Sequence, residues 1–204
     1  DTYKSQKRGG KGITGMATRE EDFVKQIFTA STHDTILFFT NQGKVYRLKG
    51  YEIPEFSRQS KGLPIVNVLP VEKDEKISNI IKLNVENKEK YLILATKQGL
   101  IKRTNLEEFE NIRATGKICI KLKENDELIG VKKTNGESNI LLASSEGRMN
   151  VFDENEIRVM GRTASGVKGI NLGSAKCVSI ENVNDDDNIV IVTENGYGKK
   201  TLIS

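Results

Sequence analysis

Short apolar runs recur along the chain, each followed by a polar turn that closes on a glycine and then by a mixed apolar and basic run. The four copies span residues 36–48, 91–104, 140–152 and 189–201. β-branched and aromatic residues on both sides of a glycine that can adopt positive φ are typical of a β-hairpin. The pattern therefore predicts four hairpins.

Two markers repeat with the same period. The glycines of the predicted hairpin turns are 56, 48 and 49 residues apart, at Gly43, Gly99, Gly147 and Gly196. A second pattern, named the Arg-Gly element here, is an arginine, a few mostly small or polar residues and a closing glycine. It occupies residues 8–12, 58–62, 113–116 and 162–166, and its closing glycines are 50, 54 and 50 residues apart. A shared period of about 50 residues indicates a repeat protein.

More strand-like stretches follow the Arg-Gly elements, at residues 63–69, 77–83, 118–122, 128–132 and 167–172. Each repeat then supplies about four short strands, as a propeller blade does. Residues 21–29 also fit a helix, but their repeat equivalents have strand character. Because one blade cannot bury its apolar face alone, neighbouring blades must stack. The predicted fold class is all-β and propeller-like.

We expect one domain over residues 1–204, with repeat units at approximately 1–52, 53–106, 107–155 and 156–204. The chain starts at an Arg-Gly element with no hairpin before it, and it ends after a hairpin with no element behind it. These positions of the two ends within the repeat predict that the chain is a piece of a larger ring or arc.

The net charge of +4 is modest, so nucleic-acid binding depends on whether the basic residues are concentrated on one face. Four groups of acidic residues lie outside the hairpins, at residues 20–22, 72–76, 124–127 and 185–187. Cys119 and Cys177 are isolated in sequence, which favours a reducing compartment over a metal site. No apolar run approaches the ~18 residues that cross a bilayer. We therefore expect a cytoplasmic chain.

Basic residues follow every predicted hairpin turn. They are Lys44, Arg47, Lys102, Arg103, Arg148, Lys199 and Lys200. If repetition places them on equivalent faces, they form a curved row that tracks the phosphates of duplex DNA. Such contacts position DNA without reading its sequence, and a curved row favours bending. For any single lysine, a solvated strand face that discourages edge aggregation is the preferred interpretation. For the repeated set, DNA binding is the preferred one.

The most basic element lies near the start of the chain and is Gln6, Lys7, Arg8, Gly9, Gly10, Lys11 and Gly12. Its glycines allow backbone N–H groups to approach a phosphate, and its cations add fixed positive charge. Arginine also grips phosphate in a fork. The segment lacks the ending of a P-loop.

Gln-Lys-Arg-Gly-Gly-Lys-Gly resembles the box of the DNA gyrase A C-terminal domain family, usually written Gln-Arg-Arg-Gly-Gly-Lys-Gly. Lys7 is the one departure, and it keeps the charge. Residues 20–24, 38–48, 57–62, 161–170 and 192–199 are also similar to that family. The resemblance covers essentially the whole chain.

The resemblance implies a β-pinwheel, usually six-bladed, in which neighbouring blades exchange strands. DNA wraps around its basic rim with positive handedness and supports ATP-dependent negative supercoiling. Residues 6–12 would be the box, and the other Arg-Gly elements degenerate copies of it. The rim would then also include Arg58, Lys61, Arg113, Lys117, Arg162 and Lys168.

The resemblance also implies partners and the absence of catalysis in this domain. The partners are duplex DNA and, in an A2B2 assembly, the gyrase B subunit together with the rest of the gyrase A subunit, with no membrane. ATP and Mg²⁺ act elsewhere in the enzyme, and no cofactor is expected here. The DNA-cleaving tyrosine of the family lies in another domain, so the five tyrosines of this chain are expected to pack. The implied location is the cytoplasm of a bacterium, with the nucleoid.

Three alternatives stay open. The C-terminal domain of the ParC protein of topoisomerase IV shares the architecture but lacks an intact box. A WD40 or kelch scaffold for protein interaction would need its own repeat signature, and the chain has no Trp. A propeller enzyme would need convergent acids, bases or ligands. The single His33 and the consecutive acids at residues 185–187 do not form such a set.

Overall fold

The protein is described by a computed structural model over residues 8–10, 16, 26–57, 60–83, 88–184 and 187–203. Within these ranges it contains β-strands and short 3-10 helices but no α-helix. The prediction of an all-β fold is therefore confirmed.

The strands, numbered in chain order, are β1 (Thr35–Thr40), β2 (Lys44–Lys49), β3 (Ile77–Leu83), β4 (Tyr91–Thr96), β5 (Leu100–Asn105), β6 (Lys117–Ile118), β7 (Leu128–Thr134), β8 (Asn139–Ser144), β9 (Met149–Asp153), β10 (Val167–Lys168), β11 (Cys177–Val183), β12 (Asn188–Val192) and β13 (Gly198–Leu202). The 3-10 helices are Gly50–Glu52, Ile65–Asn67, Leu106–Phe109 and Glu154–Glu156.

All four predicted hairpins are present, as β1–β2, β4–β5, β8–β9 and β12–β13. The turn glycines have positive φ in each hairpin, from +74° at Gly43 to +82° at Gly196. At Gly43 an added Cβ would lie 2.7 Å from the carbonyl oxygen of Ile120. Glycine is therefore required at this turn by both its φ and the close approach of Ile120.

The hairpins are built into sheets that exchange strands between repeats. In the described residues, blade 1 has the order β3-β1-β2-β6, blade 2 has β10-β5-β4-β7, blade 3 has β11-β8-β9, and blade 4 has β12-β13. The strands β6 and β10 each lie two predicted repeat units after the unit whose hairpin they flank. The predicted unit boundaries stay a prediction, and the sheets of blades 1 and 2 cross them.

Position in the sheet separates an inner edge from an outer edge. The strands β3, β7 and β11 contact one another from blade to blade, with Asn182 Nδ2 donating to the Lys133 carbonyl at 2.9 Å. These strands form the inner edge. At the opposite side of blades 1 and 2 lie the two-residue strands β6 and β10, which therefore form the outer edge.

Strand alternation places one core between blades 1 and 2 and another between blades 2 and 3. Leu92 and Leu94 of β4 pack with Leu37 and Phe39 of blade 1. The intervening Ile93 and its neighbours instead join a second core with blade 3. Because successive side chains point to opposite faces, a sheet that is buried on both faces needs a continuous apolar run. The run Leu92–Ala95 meets that need.

One predicted strand is absent. Residues 63–69 contain the 3-10 helix Ile65–Asn67 instead of a strand. Pro64 lacks an N–H group and so cannot donate to a strand ladder. The possible helix at residues 21–29 lies mostly outside the described residues, and the part from 26 onward has no helical structure.

Candidate nucleic-acid interface

The Arg-Gly elements lead into the outer strands. After Gly116 the chain forms β6, which pairs antiparallel with β2 and sets Lys117 opposite Val45. After Gly166 it forms β10, which sets Lys168 opposite Leu100 of β5. The residue after β6 docks as well, since the N–H of Cys119 donates to the Gly43 carbonyl at 2.8 Å. The topology therefore brings two Arg-Gly elements to the outer edge of successive blades.

Most predicted cations in the described residues are accessible to solvent. The exposed ones are Arg8, Lys61, Arg113, Arg148, Lys168, Lys199 and Lys200, and the half-buried ones are Lys44, Arg47, Lys117 and Arg162. Of the box, the described residues are Arg8, Gly9 and Gly10, all exposed, and Gly9 lies in a turn with φ +84°. Gln6, Lys7, Lys11, Gly12 and Arg58 lie outside the described residues.

The hairpin cations do not form one row on equivalent faces, as the sequence pattern had suggested. Counted from the turn glycine, Lys102 is third and Arg103 fourth, while Arg148 is first. Adjacent strand positions point to opposite faces of a sheet. Lys102 therefore faces blade 1 and Arg103 faces blade 3, and the same alternation separates Lys199 from Lys200.

Lys102 is not a rim residue, because its side chain is fully buried at 0% exposure. Its Nζ donates to the carbonyls of Cys119, Gly161 and Arg162, the last at 2.6 Å. Burial lowers the pKa of this lysine to about 8. Three backbone acceptors compensate for the loss of water, so Lys102 holds the outer edge together instead of facing DNA.

Arg103 is also an interior residue, with 8% exposure, and the prediction of a rim position is wrong for it as well. Its Nη1 donates to the Glu154 carbonyl at 3.0 Å and lies 3.6 Å from the Glu154 carboxylate. Its guanidinium lies 4.5 Å from the ring centroid of Tyr91. Glu154 is itself fully buried and accepts from Thr134 Oγ1 at 2.6 Å. The pair joins blades 2 and 3.

Other predicted cations are partly engaged by the protein. The Nη1 of Arg162 donates to the Ile118 carbonyl at 2.9 Å, and its Nε lies 3.9 Å from Glu108. Arg47 donates to the Glu110 carbonyl at 3.2 Å. Lys44 pairs with Glu72, and the hydrogen bond to Glu72 raises the pKa of Lys44. These three residues lie at the surface while also tying adjacent segments.

Sequence reasoning missed two exposed cations, Lys121 and Lys123. They follow β6 in the same segment that begins at the Arg-Gly element of residues 113–116. The N–H of Lys121 donates to the Ala164 carbonyl at 3.1 Å, which fixes this segment beside the next element. Counting cations downstream of each closing glycine would have found them.

A cleft of about 750 Å³ between blades 1 and 2 carries both signs of charge. It is lined by Arg47, Lys49 and Lys90 together with Glu89 and Glu107. This balance gives it no evident preference for a charged ligand.

The remaining chemistry of the described residues is limited. They contain no cluster of three or more His, Cys, Asp or Glu side chains arranged to hold a metal ion. Cys119 is buried, and burial raises the pKa of its thiol to about 12. In the same residues, no helix has the length and apolar character needed to cross a membrane.

Comparison with known proteins places the chain in a family. The model of the DNA gyrase C-terminal domain, described as a β-propeller, matches residues 1–31, 34–84, 90–135, 138–184 and 187–204. The A subunit of DNA gyrase from Staphylococcus epidermidis ATCC 12228 is 51% identical over 207 residues, and that from Staphylococcus aureus NCTC 8325 is 49% identical. Each alignment covers 100% of this chain and 23% of the relative.

Solved structures agree on the fold. The C-terminal domain of DNA topoisomerase IV matches with a TM-score of 0.83 and 30% identity, over 93% of this chain and 59% of that one. A DNA gyrase A C-terminal domain matches with a TM-score of 0.73 and 28% identity, over 97% of this chain and 64% of that one.

Strand-exchanging sheets with cations at the outer edge define a propeller-like repeat domain. More narrowly, the chain belongs to the DNA gyrase C-terminal domain family.

Proposed function

We propose that this domain binds duplex DNA without sequence specificity and bends and wraps it along the outer edge. The observation that carries the proposal is the set of solvent-accessible cations on and beside the Arg-Gly elements, on successive blades. Duplex DNA carries one negative charge per ~1.7 Å of axis, so cations spaced along an edge replace its counterions. Contacts of this kind fix the path of DNA and favour deformable sequences.

The proposed contact set differs from the sequence-based one. It keeps the box residues Gln6, Lys7, Arg8, Gly9, Gly10, Lys11 and Gly12, and the rim residues Lys44, Arg47, Arg58, Lys61, Arg113, Lys117, Arg148, Arg162, Lys168, Lys199 and Lys200. It adds Lys121 and Lys123, which are exposed beside β6. It leaves out Lys102 and Arg103, because buried groups with protein partners do not reach a phosphate.

In the longer protein, the domain would serve as the C-terminal domain of the gyrase A subunit. There it would support ATP-dependent negative supercoiling, with ATP and Mg²⁺ acting outside this chain. Its partners would be the gyrase B subunit, in an A2B2 assembly, together with the rest of its own polypeptide, in the cytoplasm at the nucleoid. The basis for this assignment is the 51% identity, along the whole chain, to a gyrase A relative.

A second candidate is the same role in topoisomerase IV. The TM-score of 0.83 to a topoisomerase IV C-terminal domain favours it. The nearly intact box at residues 6–12 favours gyrase. Both candidates predict DNA binding, and they differ in whether the wrap is chiral.

The test is a topological one. A nicked plasmid is bound by the purified chain, ligated and freed of protein, and its linking number is measured at two salt concentrations. We expect a positive shift that fades with salt, since six to ten phosphate contacts predict roughly 10³–10⁵ loss of affinity between 50 and 200 mM.

The variant Lys7→Ala/Arg8→Ala should remove most of this shift. Lys88→Ala/Lys90→Ala is the matched control, because it also removes two lysine or arginine charges but from the segment before β4, outside the proposed contact set. It should leave the shift nearly unchanged. Binding without a shift would favour the topoisomerase IV alternative, and no binding at low salt would overturn the DNA proposal.

A further inference from the structure

Two polar side chains reach from the hairpin of one blade to the outer strand of the blade before it. Lys102 of β5, in blade 2, donates to the carbonyl of Cys119, which directly follows β6 of blade 1. Asn150 of β9, in blade 3, donates through Nδ2 to the carbonyl of Gly169 at 2.7 Å, and Gly169 directly follows β10 of blade 2. Both donors occupy the third position after a turn glycine. The same contact between blades is therefore made twice.

Lys102 also binds the start of the next Arg-Gly element. Its Nζ donates to the carbonyl of Arg162 at 2.6 Å and to that of Gly161 at 3.1 Å. An ammonium group has three N–H donors and no acceptor, so these two carbonyls and that of Cys119 use all of them. Because the three oxygens lie within hydrogen-bond distance of one nitrogen, Lys102 holds two segments at one separation. We name residues 113–123 the first outer segment and residues 161–168 the second outer segment.

Two further contacts join the outer segments to each other directly. Arg162 Nη1 donates to the Ile118 carbonyl at 2.9 Å, and the N–H of Lys121 donates to the Ala164 carbonyl at 3.1 Å. Both contacts link one segment to the other and not to the hairpin of blade 2. Lys102 differs from them because it belongs to β5, which is paired with β4 and β10 inside the sheet of blade 2. Its ammonium therefore ties both outer segments to the body of a blade.

The outer segments carry cations of the proposed DNA contact set on both sides of this ammonium. All of them are exposed or half-buried, and they are Arg113, Lys117, Lys121 and Lys123 in the first segment and Arg162 and Lys168 in the second. Duplex DNA resists bending over lengths below its persistence length of about 150 base pairs. A protein edge that bends DNA must therefore keep its cations at a fixed spacing.

We propose that Lys102 is a positioning residue for the DNA-binding edge, an inference that rests on the proposed function. Its ammonium holds the two outer segments at one separation, so a duplex that lies across both segments follows a fixed curve. Lys102 does not touch that duplex, because its side chain is fully buried. Loss of the ammonium therefore leaves the number of phosphate contacts unchanged but loosens the curve of the bound DNA.

The first measurement is hydrogen exchange of the 204-residue chain without DNA, followed residue by residue by NMR. The amide of Lys121 reports the separation of the outer segments, because it donates to the Ala164 carbonyl. In Lys102→Met, exchange at this amide should be about tenfold faster, the effect of one lost hydrogen bond. The amides of β4 should keep their rates. If Lys102→Met does not fold, Lys102→Gln replaces it, because the shorter amide side chain cannot reach all three carbonyls.

The second measurement adds a duplex much shorter than the persistence length, labelled at its two ends with a fluorescent donor and acceptor. At saturating protein, Lys102→Met should lose energy transfer relative to the unchanged chain, because the ends of the less bent duplex lie farther apart. The salt dependence of binding should stay the same.

Arg103→Met is the matched control, because it removes the adjacent buried cation, whose side chain binds residues of blade 3 and not the outer segments. It should match the unchanged chain in both measurements. The proposal is overturned by unchanged exchange at Lys121 in the Lys102 variant, by equal acceleration in Arg103→Met, or by unchanged energy transfer at saturation. Absence of DNA binding by the unchanged chain at low salt would instead overturn the proposed function, and this inference with it.

Discussion

Blades 2 and 4 carry adjacent cations at the same repeat positions, yet the two pairs have opposite environments. Lys102 and Arg103 are 0% and 8% exposed, whereas Lys199 and Lys200 are exposed. Each pair is third and fourth after its turn glycine. In the described residues β5 lies between β4 and β10, with blades on both faces, while β13 pairs with β12 alone. Neighbouring blades, and not the repeat position, decide whether a cation stabilises the protein or is free to meet phosphate.

The largest effect is expected from Arg103→Met. This change leaves the buried Glu154 without its cation, and breaking a buried pair costs about 3–5 kcal/mol. The free energy of unfolding should fall by that amount in urea denaturation. Lys200→Met, at the same repeat position in blade 4, should change it by less than about 0.5 kcal/mol because its site is exposed. Similar losses in the two variants would contradict the contrast between the blades.

The second effect is a pH dependence confined to Lys102. Its pKa is about 8 in the folded chain and 10.5 when unperturbed, so between these values the unfolded chain binds more protons. Its contribution to the free energy of unfolding therefore rises with pH across this window. The difference between the unchanged chain and Lys102→Met should grow by about 2–3 kcal/mol from pH 7.5 to pH 10.5, since one pKa unit corresponds to about 1.4 kcal/mol.

Lys199→Met serves as the control for this titration. Lys199 occupies the same repeat position on blade 4, where its side chain is exposed. A flat difference for Lys102→Met would mean that the buried amine titrates as it does in water, and the interior assignment of its charge would be wrong.

The smallest effect is expected in DNA binding. Removing Lys199 and Lys200 together should reduce the slope of log K, the DNA-binding constant, against log salt concentration. The reduction should be about 1.8, because each of two lost phosphate contacts contributes about 0.9. Lys102→Met should leave the slope unchanged at temperatures where it is folded. If Lys199→Ala/Lys200→Ala keeps the full slope, blade 4 lies off the path of DNA. A reduced slope in folded Lys102→Met would show that this lysine reaches DNA after all.

Local sequence was sufficient for the hairpins. The turn glycines and the apolar runs around them act over a few residues, so their pattern predicts the strands and the positive φ directly. The outer strands β6 and β10 are only two residues long, and each depends on a partner strand that lies more than 60 residues earlier in the chain. Their length was overestimated, and a strand was wrongly predicted at residues 63–69, because pairing between distant segments leaves no local signal.

The site was harder to predict than the fold. Resemblance to the gyrase A family identified the domain, but the repeated basic positions after the hairpin turns predicted Lys102 and Arg103 as rim cations. Their burial follows from Glu154 and from the carbonyls of Gly161 and Arg162, all on segments far along the chain. The missed cations Lys121 and Lys123 show the reverse error, because they become part of the edge only when β6 docks on β2.

The exchange of strands between repeats delays the completion of each sheet while the chain is synthesised on the ribosome. The hairpin of blade 1 ends at Lys49 in β2, but the last strand of its sheet ends at Ile118, 69 residues later (118 minus 49). At a synthesis rate of about 5–20 residues per second, the edge of β2 stays unpaired for about 3 to 14 seconds before β6 is made. An open strand edge is a template for wrong pairing during that interval. During that interval the β2 strand carries the charges of Lys44, Arg47 and Lys49.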